Sequence, residues 1–185
     1  KKLNIILAPS KSGLYFDYAQ SRSDMEPINH GGFSPIWKGY EYKAEYEGLS
    51  DEDKKHIMGV SGSVWTENIP SISKLQYMIF PRMFALAETA WTLEKNKDYK
   101  TFSETALASH LQKLDKEGYN YRVPTPFVYT DTTLVGSRFS FDLKIPIRGA
   151  KIYYTVNNRL PSDADHEYHG PVTFDIPKGK KRVLK

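Results

Sequence analysis

The stretch from Gly59 to Trp91, GVSGSVWTENIPSISKLQYMIFPRMFALAETAW, constrains the fold more than any other part of the chain. It reads as a short apolar strand closing at Trp65-Thr66-Glu67, a proline-marked turn and a long helix. Its strand spans Ile57 to Val64, lightened by Gly59 and Gly62. Leu3 to Ala8 (LNIILA) is another apolar run of strand length, unbroken as expected for a strand buried on both faces. Between the two strands, Ser50 caps a short helix through about His56, with Asp51, Glu52 and Asp53 in the first turn where the helix dipole favours anions. Strands alternating with helices imply a parallel sheet.

A capping box, Ser73-Lys-Leu-Gln76, predicts where the long helix begins, and Leu75, Ile79, Met83, Leu86 and Ala90 recur at helical spacing as its core face. Pro81 cannot donate to the helix ladder, which predicts a kink or a fresh start before Arg82. A further helix is expected from about Phe102 to Glu117, with Thr101 and Glu104 as its capping box and Gly118 as its stop. From Pro9 to Gly48 no period holds, and Gly, Pro, Ser and Tyr are frequent. This is a long loop excursion of the functional kind, since its aromatics argue against disorder.

After Tyr119 the texture changes. Val123 to Pro126 (VPTP) reads as a linker, followed by short β-type runs at Phe127 to Tyr129, Arg138 to Ile145, Lys151 to Val156 and Val172 to Ile176, as in a small antiparallel sandwich. The division is therefore an α/β part over 1–121 and a small β domain over 122–185. The opening Lys1-Lys2 and the closing Arg182-Val-Leu-Lys both read as cuts.

Composition narrows the function classes. The net charge is +4, but the basic residues are scattered and their one tight run, Lys178 to Arg182, reads as a solvated turn, so nucleic acid is not the expected partner. No stretch has the length of a membrane span. The absence of Cys excludes disulfides and thiolate metal ligands. His30, His56, His110, His166 and His169 have no second ligand set around them, so neither a metal nor a cofactor is expected.

Trp65 and Glu67 sit two apart, so on an extended backbone they share a side. An indole covers the apolar face of a pyranose while a carboxylate accepts its hydroxyl protons, a pairing suited to sugar recognition. Tyr15-Phe16-Asp17-Tyr18 follows the first strand as Trp65-Thr66-Glu67 follows the second, and in a (β/α) barrel ligand groups gather at strand C-terminal ends. Plainer readings stand beside these. A strand-end Tyr15 is also what a core residue with a wet hydroxyl looks like, and Asp17 could cap its own loop. Trp37 could fold its own loop.

Gly59-x-x-Gly62-x-x-Trp65-Thr66-Glu67, followed by Gln76-Tyr77-Met-x-x-Pro81-Arg82-x-x-Ala85-x-x-Glu88-x-x-Trp91, resembles the last strand and helix of glycoside hydrolase family 20, the exo-β-N-acetylhexosaminidases. Tyr15-Phe16-Asp17-Tyr18, Glu26-Pro27 and Trp37-x-x-Tyr40-x-Tyr42 resemble that family's seventh strand and its loop. Ile152-Tyr-Tyr-Thr-Val, Pro161, Tyr168 and Gly170-Pro171 are similar to the small β domain trailing some of these barrels, with Asn157-Asn158 in place of its usual Asp-Gly turn.

The resemblance implies the C-terminal portion of a (β/α)8 TIM barrel followed by a small antiparallel β-sandwich domain. It also implies terminal N-acetylhexosamine glycans as substrates and a retaining mechanism in which the substrate's own acetamido oxygen attacks. Tyr15 would donate to that acetamido oxygen, Trp65 would wall the sugar, Asp17 and Glu67 would accept from O4 and O6, and Trp37 would face the departing glycan. The family's Asp-Glu pair, its orienting group and acid/base, would lie upstream; Asp51-Glu52 imitates it but belongs to a helix first turn. Arg82 and Glu88 are read as structural hydrogen-bonding groups and Trp91 as packing. The chain alone would then be inactive, would associate with itself or with the missing part of the barrel, and would derive from a secreted, periplasmic or lysosomal parent. The competing reading is a non-catalytic carbohydrate-binding or scaffold module.

Overall fold

The computed structural model describes residues 3–21, 26–44, 48–126 and 133–185. The chain falls into two compact units, Lys1–Val123 and Pro124–Lys185.

The first unit is mixed α/β. Strands β1 (Ile5–Leu7) and β2 (Ile57–Val60) pair in parallel, with Ile5 opposite Ile57 and Leu7 opposite Val60, as alternation with helices predicts. The expected burial on both faces does not hold. Leu7 is buried, but Ile6 is 66% exposed, and Leu3 and Met58 are also open, because helices of this unit cover only one face. Beyond β1 the chain makes a turn at Ser10–Ser12 and Gly13, then rejoins the ladder: Phe16 N donates to Ser63 O, and Ser63 N to Leu14 O, both at 2.9 Å. Gly13 has φ of 84°, and a Cβ there would lie 2.3 Å from the Gly39 nitrogen, so this turn admits only glycine. That close approach seats helix α1 (Ile36–Tyr40) inside what the sequence reads as loop.

Helix α2 (Asp51–Lys54) is capped by Ser50 as expected, and its Asp51 and Glu52 pair with Lys54 and Lys55 one turn on. The long helix divides into α3 (Ile72–Ile79) and α4 (Arg82–Trp91) around an extended Phe80 that precedes Pro81. Its cap is Ser71, not Ser73; Ser73 and Gln76 instead accept hydrogen bonds from Asn120. The expected core face shifts as well. Met78, Arg82 and Ala85 are buried while Met83 and Ala90 are exposed, so the buried face lies one position before the expected one on both sides of Pro81. Trp91, expected to pack, is 88% exposed.

The last helical stretch starts three residues before the expected box, at α5 (Tyr99–Thr101), where the Asp98 carboxylate accepts from Thr101 N at 2.6 Å. It passes through a wider π-helical turn (Phe102–Ala106) into α6 (Leu107–Glu117), which Gly118 closes in the left-handed conformation, as predicted. Leu107, Leu111 and Phe102 form its buried side.

Among the described residues the second unit holds two separate two-stranded antiparallel ladders, shorter than the runs expected of a sandwich. β3 (Arg138–Phe141) pairs with β6 (Val172–Asp175), and β4 (Tyr153–Tyr154) with β5 (His166–Glu167). The run at 127–129 lies outside the described residues. Phe141, Leu143, Tyr154, Tyr168, Val172, Phe174 and Leu184 enclose a small apolar interior. Asn158 has φ of 67°, the left-handed turn that Asn tolerates.

Candidate functional site

The two strand ends do converge. Tyr15 bridges Ser63 in parallel register, which brings the Tyr15-Phe16-Asp17-Tyr18 segment beside the chain leading into Trp65. Asp17 is 4% exposed, and its carboxylate reaches across to that chain. Oδ2 accepts from Trp65 N at 2.7 Å and Oδ1 from Thr66 N at 3.1 Å. Charge-assisted bonds of this kind to backbone amides are the stronger ones.

The clamp explains the local backbone. Thr66 has φ of 65°, a conformation that a β-branched residue avoids. Two successive amides aimed at one carboxylate hold it there, and a turn follows in which Ile69 N donates to Thr66 O at 3.0 Å. Residues 65–67 are therefore not extended, and the strand alternation that would place Trp65 and Glu67 on one side does not apply to them. Trp65 is 65% exposed. Backbone strain held by its surroundings in this way gathers at functional sites.

Tyr15 is half-buried, with the Tyr18 ring edge-on at 4.6 Å and the His30 ring edge-on at 6.0 Å. Burial first, then the negative charges of Asp17 and Glu67, hold its hydroxyl above the ordinary tyrosine range. It therefore stays protonated, a hydrogen-bond donor, throughout the neutral range. Trp37 is on α1, which packs against α4, and among the described residues its side chain makes no hydrogen bond or ring contact with the other four.

The residue that organises this side of the site is Arg82, 1% exposed at the start of α4. Its Nη1 donates to Tyr18 O and Ser34 O at 3.0 Å each, Nη2 to Phe16 O at 2.6 Å and to Met78 O, and Nε to Met78 O at 3.2 Å. Every donor of the guanidinium fork is thus used. The cation also lies over the Phe16 ring, 5.0 Å from its centre. Burial pulls its pKa down to about 9, with the charges of Glu26 and Asp17 acting in the opposite sense, so it remains a cation at neutral pH.

Two further groups tie the loop down. Gln20 Nε2 donates to Tyr77 O at 2.6 Å. Glu26 accepts from Ser21 Oγ at 2.8 Å and from Arg122 Nε at 2.6 Å, an ion pair that is mostly buried. The sequence reading took Arg82 as a hydrogen-bonding group behind the sheet and assigned no role to Gln20 or Arg122. A lone cation at the 78, 82, 85 spacing of an apolar helix face was the available signal. Among the described residues no group of three or more His, Asp or Glu is placed to hold a metal ion, and no helix is long and apolar enough to cross a membrane.

Residues 1–94 match the family model for the catalytic domain of glycosyl hydrolase family 20. A beta-hexosaminidase of Porphyromonas gingivalis is 27% identical over 180 residues, covering 92% of this chain and 22% of that protein. A beta-N-acetylhexosaminidase of Cellulomonas fimi is 35% identical over 65 residues, covering 35% of this chain and 13% of its own length. The crystal structure of the GH20 exo beta-N-acetylglucosaminidase of Vibrio harveyi with N-acetylglucosamine superposes with a TM-score of 0.58 at 34% identity. It covers 64% of this chain and 19% of that one. The chain thus spans about a fifth of these longer relatives. Matched to this model over half of its residues, the chain belongs to glycosyl hydrolase family 20.

Proposed function

We propose that this chain is part of an exo-acting β-N-acetylhexosaminidase, which removes terminal β-linked N-acetylglucosamine or N-acetylgalactosamine from glycans. The observation that carries the reading is the convergence of Tyr15, Asp17 and Trp65 at the ends of paired parallel strands in a family-20 segment. The names of its relatives, hexosaminidases and an N-acetylglucosaminidase, support the substrate class.

In this reading residues 1–121 are the last two strands and helices of a (β/α)8 TIM barrel, and 122–185 part of a small antiparallel β-sandwich domain. The mechanism is retaining and substrate-assisted: the 2-acetamido oxygen attacks the anomeric carbon, and water opens the resulting oxazolinium ion. Tyr15 is the catalytic donor, holding the acetamido oxygen in line for attack. Trp65 offers its exposed indole to the sugar face. Asp17 holds Trp65 in place through the backbone and has lone pairs left for a sugar hydroxyl, and Glu67 accepts from a second hydroxyl. Trp37 faces the rest of the glycan. The orienting Asp and acid/base Glu lie in the preceding part of the barrel, which also covers the open residues Ile6 and Met58. Without that part the chain associates with itself through the same surface. The parent protein is secreted, periplasmic or lysosomal.

The test is hydrolysis of an aryl β-N-acetylglucosaminide by this chain and by the full-length protein that carries it. Turnover by the full-length protein alone is expected; turnover by these 185 residues alone would mean the acid/base lies among them and would overturn the assignment of roles.

A further inference from the structure

Arg82 is only 1% exposed, and its donors converge on the loop that carries Tyr15 and Asp17. The carbonyls of Phe16 and Tyr18 flank Asp17 in sequence, and both are held by this one guanidinium, at 2.6 Å and 3.0 Å. Phe16 O belongs to the peptide before Asp17 and Tyr18 O to the second peptide after it, while the carbonyl between them, Asp17 O, accepts from His30 N at 2.9 Å, so the backbone about Asp17 is held on both sides. The same fork takes the Ser34 carbonyl at 3.0 Å, and Ser34 N in turn donates to Ala19 O at 2.8 Å, so the descending arm of the loop is fastened to the ascending one. The bonds to Met78 anchor the fork to the preceding helix.

We propose that Arg82 is a positioning residue for the reaction: acting through the Phe16, Tyr18 and Ser34 carbonyls, it sets the placement of Tyr15 and Asp17 and, through the Asp17 clamp, of Trp65. This rests on the hexosaminidase reading above. A lysine keeps the charge but has a single nitrogen and no planar fork, so it cannot span carbonyls on both sides of Asp17.

The experiment is a double-mutant cycle in the full-length enzyme, with Arg82→Lys and Tyr15→Phe, read as kcat on an aryl β-N-acetylglucosaminide at a temperature where both variants are folded by circular dichroism. Arg82→Lys alone should lower kcat roughly 100-fold, the size of loss that a misplacement of about 1 Å produces. In the Tyr15→Phe background the same change should cost less than about 3-fold, since residues acting as a unit are not additive. Equal losses in both backgrounds would overturn the inference while leaving the hexosaminidase reading intact. A wild-type enzyme without turnover, or a Tyr15→Phe variant at full rate, would overturn that reading and the inference with it. Should Arg82→Lys fail to fold, Arg82→Ala supplemented with millimolar methylguanidinium takes its place. Recovery of kcat in the Tyr15 enzyme but not in the Tyr15→Phe enzyme supports the role, and equal recovery in both contradicts it.

Discussion

Asp17 and Trp65 are joined by a hydrogen bond of 2.7 Å, yet the first is 4% exposed and the second 65%. On the Asp17 side, Arg82, Gln20 and Glu26 hold the backbone from α3, α4 and the segment after α6. On the Trp65 side the two bonds from Asp17 hold a turn whose Thr66 sits at positive φ. One side is fixed by burial, and the other takes its shape from the first. Order at an exposed turn can therefore be delegated: an exposed aromatic face stays presentable because a buried carboxylate grips its peptide groups, not because its own side chain packs.

The most damaging way to break this arrangement is at the grip. Asp17→Ala leaves two amides without their acceptor and should destabilise the fold by about 3 kcal/mol, at roughly 1–3 kcal/mol per orphaned group. Turnover should fall more than about 100-fold as Trp65 loses its position. Paired melting curves and rates measure both, and an unchanged melt would show that the clamp does not hold the turn.

On the open side, effects on function and stability should separate. Trp65→Ala removes an exposed ring and should cost less than about 0.5 kcal/mol of stability, the range of ordinary surface changes. It should nonetheless weaken sugar binding roughly tenfold, the equivalent of about 1.4 kcal/mol. Isothermal titration with N-acetylglucosamine reads the second quantity; equal affinity would remove Trp65 from the site. Thr66→Gly sharpens the contrast further. Releasing a β-branched residue from the left-handed region should stabilise the protein by about 1 kcal/mol, visible as a higher melting temperature. A lower melting temperature would mean that the Thr66 side chain contributes more than its backbone costs.

The smallest effect belongs to the scaffold behind the site. His110 stacks on Phe84 at 4.4 Å, and burial, with Lys113, lowers its pKa. The folded state then binds the proton less readily than the unfolded chain. The stability contributed by neutral His110 is complete above the ordinary histidine value, about 6.5, and is lost as the pH falls toward the lowered one. His110→Phe should flatten the decline in melting temperature below about pH 6.5 without altering the pH dependence of sugar affinity. A change in that affinity would couple the α4–α6 packing to the site.

Much of this was legible in the chain. The Ser50 cap, the Gly118 stop and the break at Pro81 follow from local chemistry that needs no tertiary partner, and the parallel pair follows from strands alternating with helices. Membership of the family was carried by Trp65-Thr66-Glu67 and the Pro81-Arg82 to Trp91 block. What escaped was set by distant contacts. The Ser73 box was displaced because Asn120 recruits Ser73 and Gln76 from far along the sequence. The helical face lies one position from the expected one because Arg82, a cation, takes the buried place that an apolar count gives to its neighbour Met83. Above all, Trp65 and Glu67 were read on a strand because nothing local announces that Asp17 will turn their backbone.

The account stands or falls on Tyr15 and the group gathered around it. The direct measurement is kcat for hydrolysis of an aryl β-N-acetylglucosaminide by the full-length protein and its Tyr15→Phe variant. Removing the one hydroxyl should reduce kcat by roughly 100- to 1,000-fold, the loss seen when a single preorganised donor is deleted, with little change in melting temperature. A variant that cleaves at the wild-type rate would contradict the account, leaving Tyr15 as an aromatic side chain packed beside Tyr18.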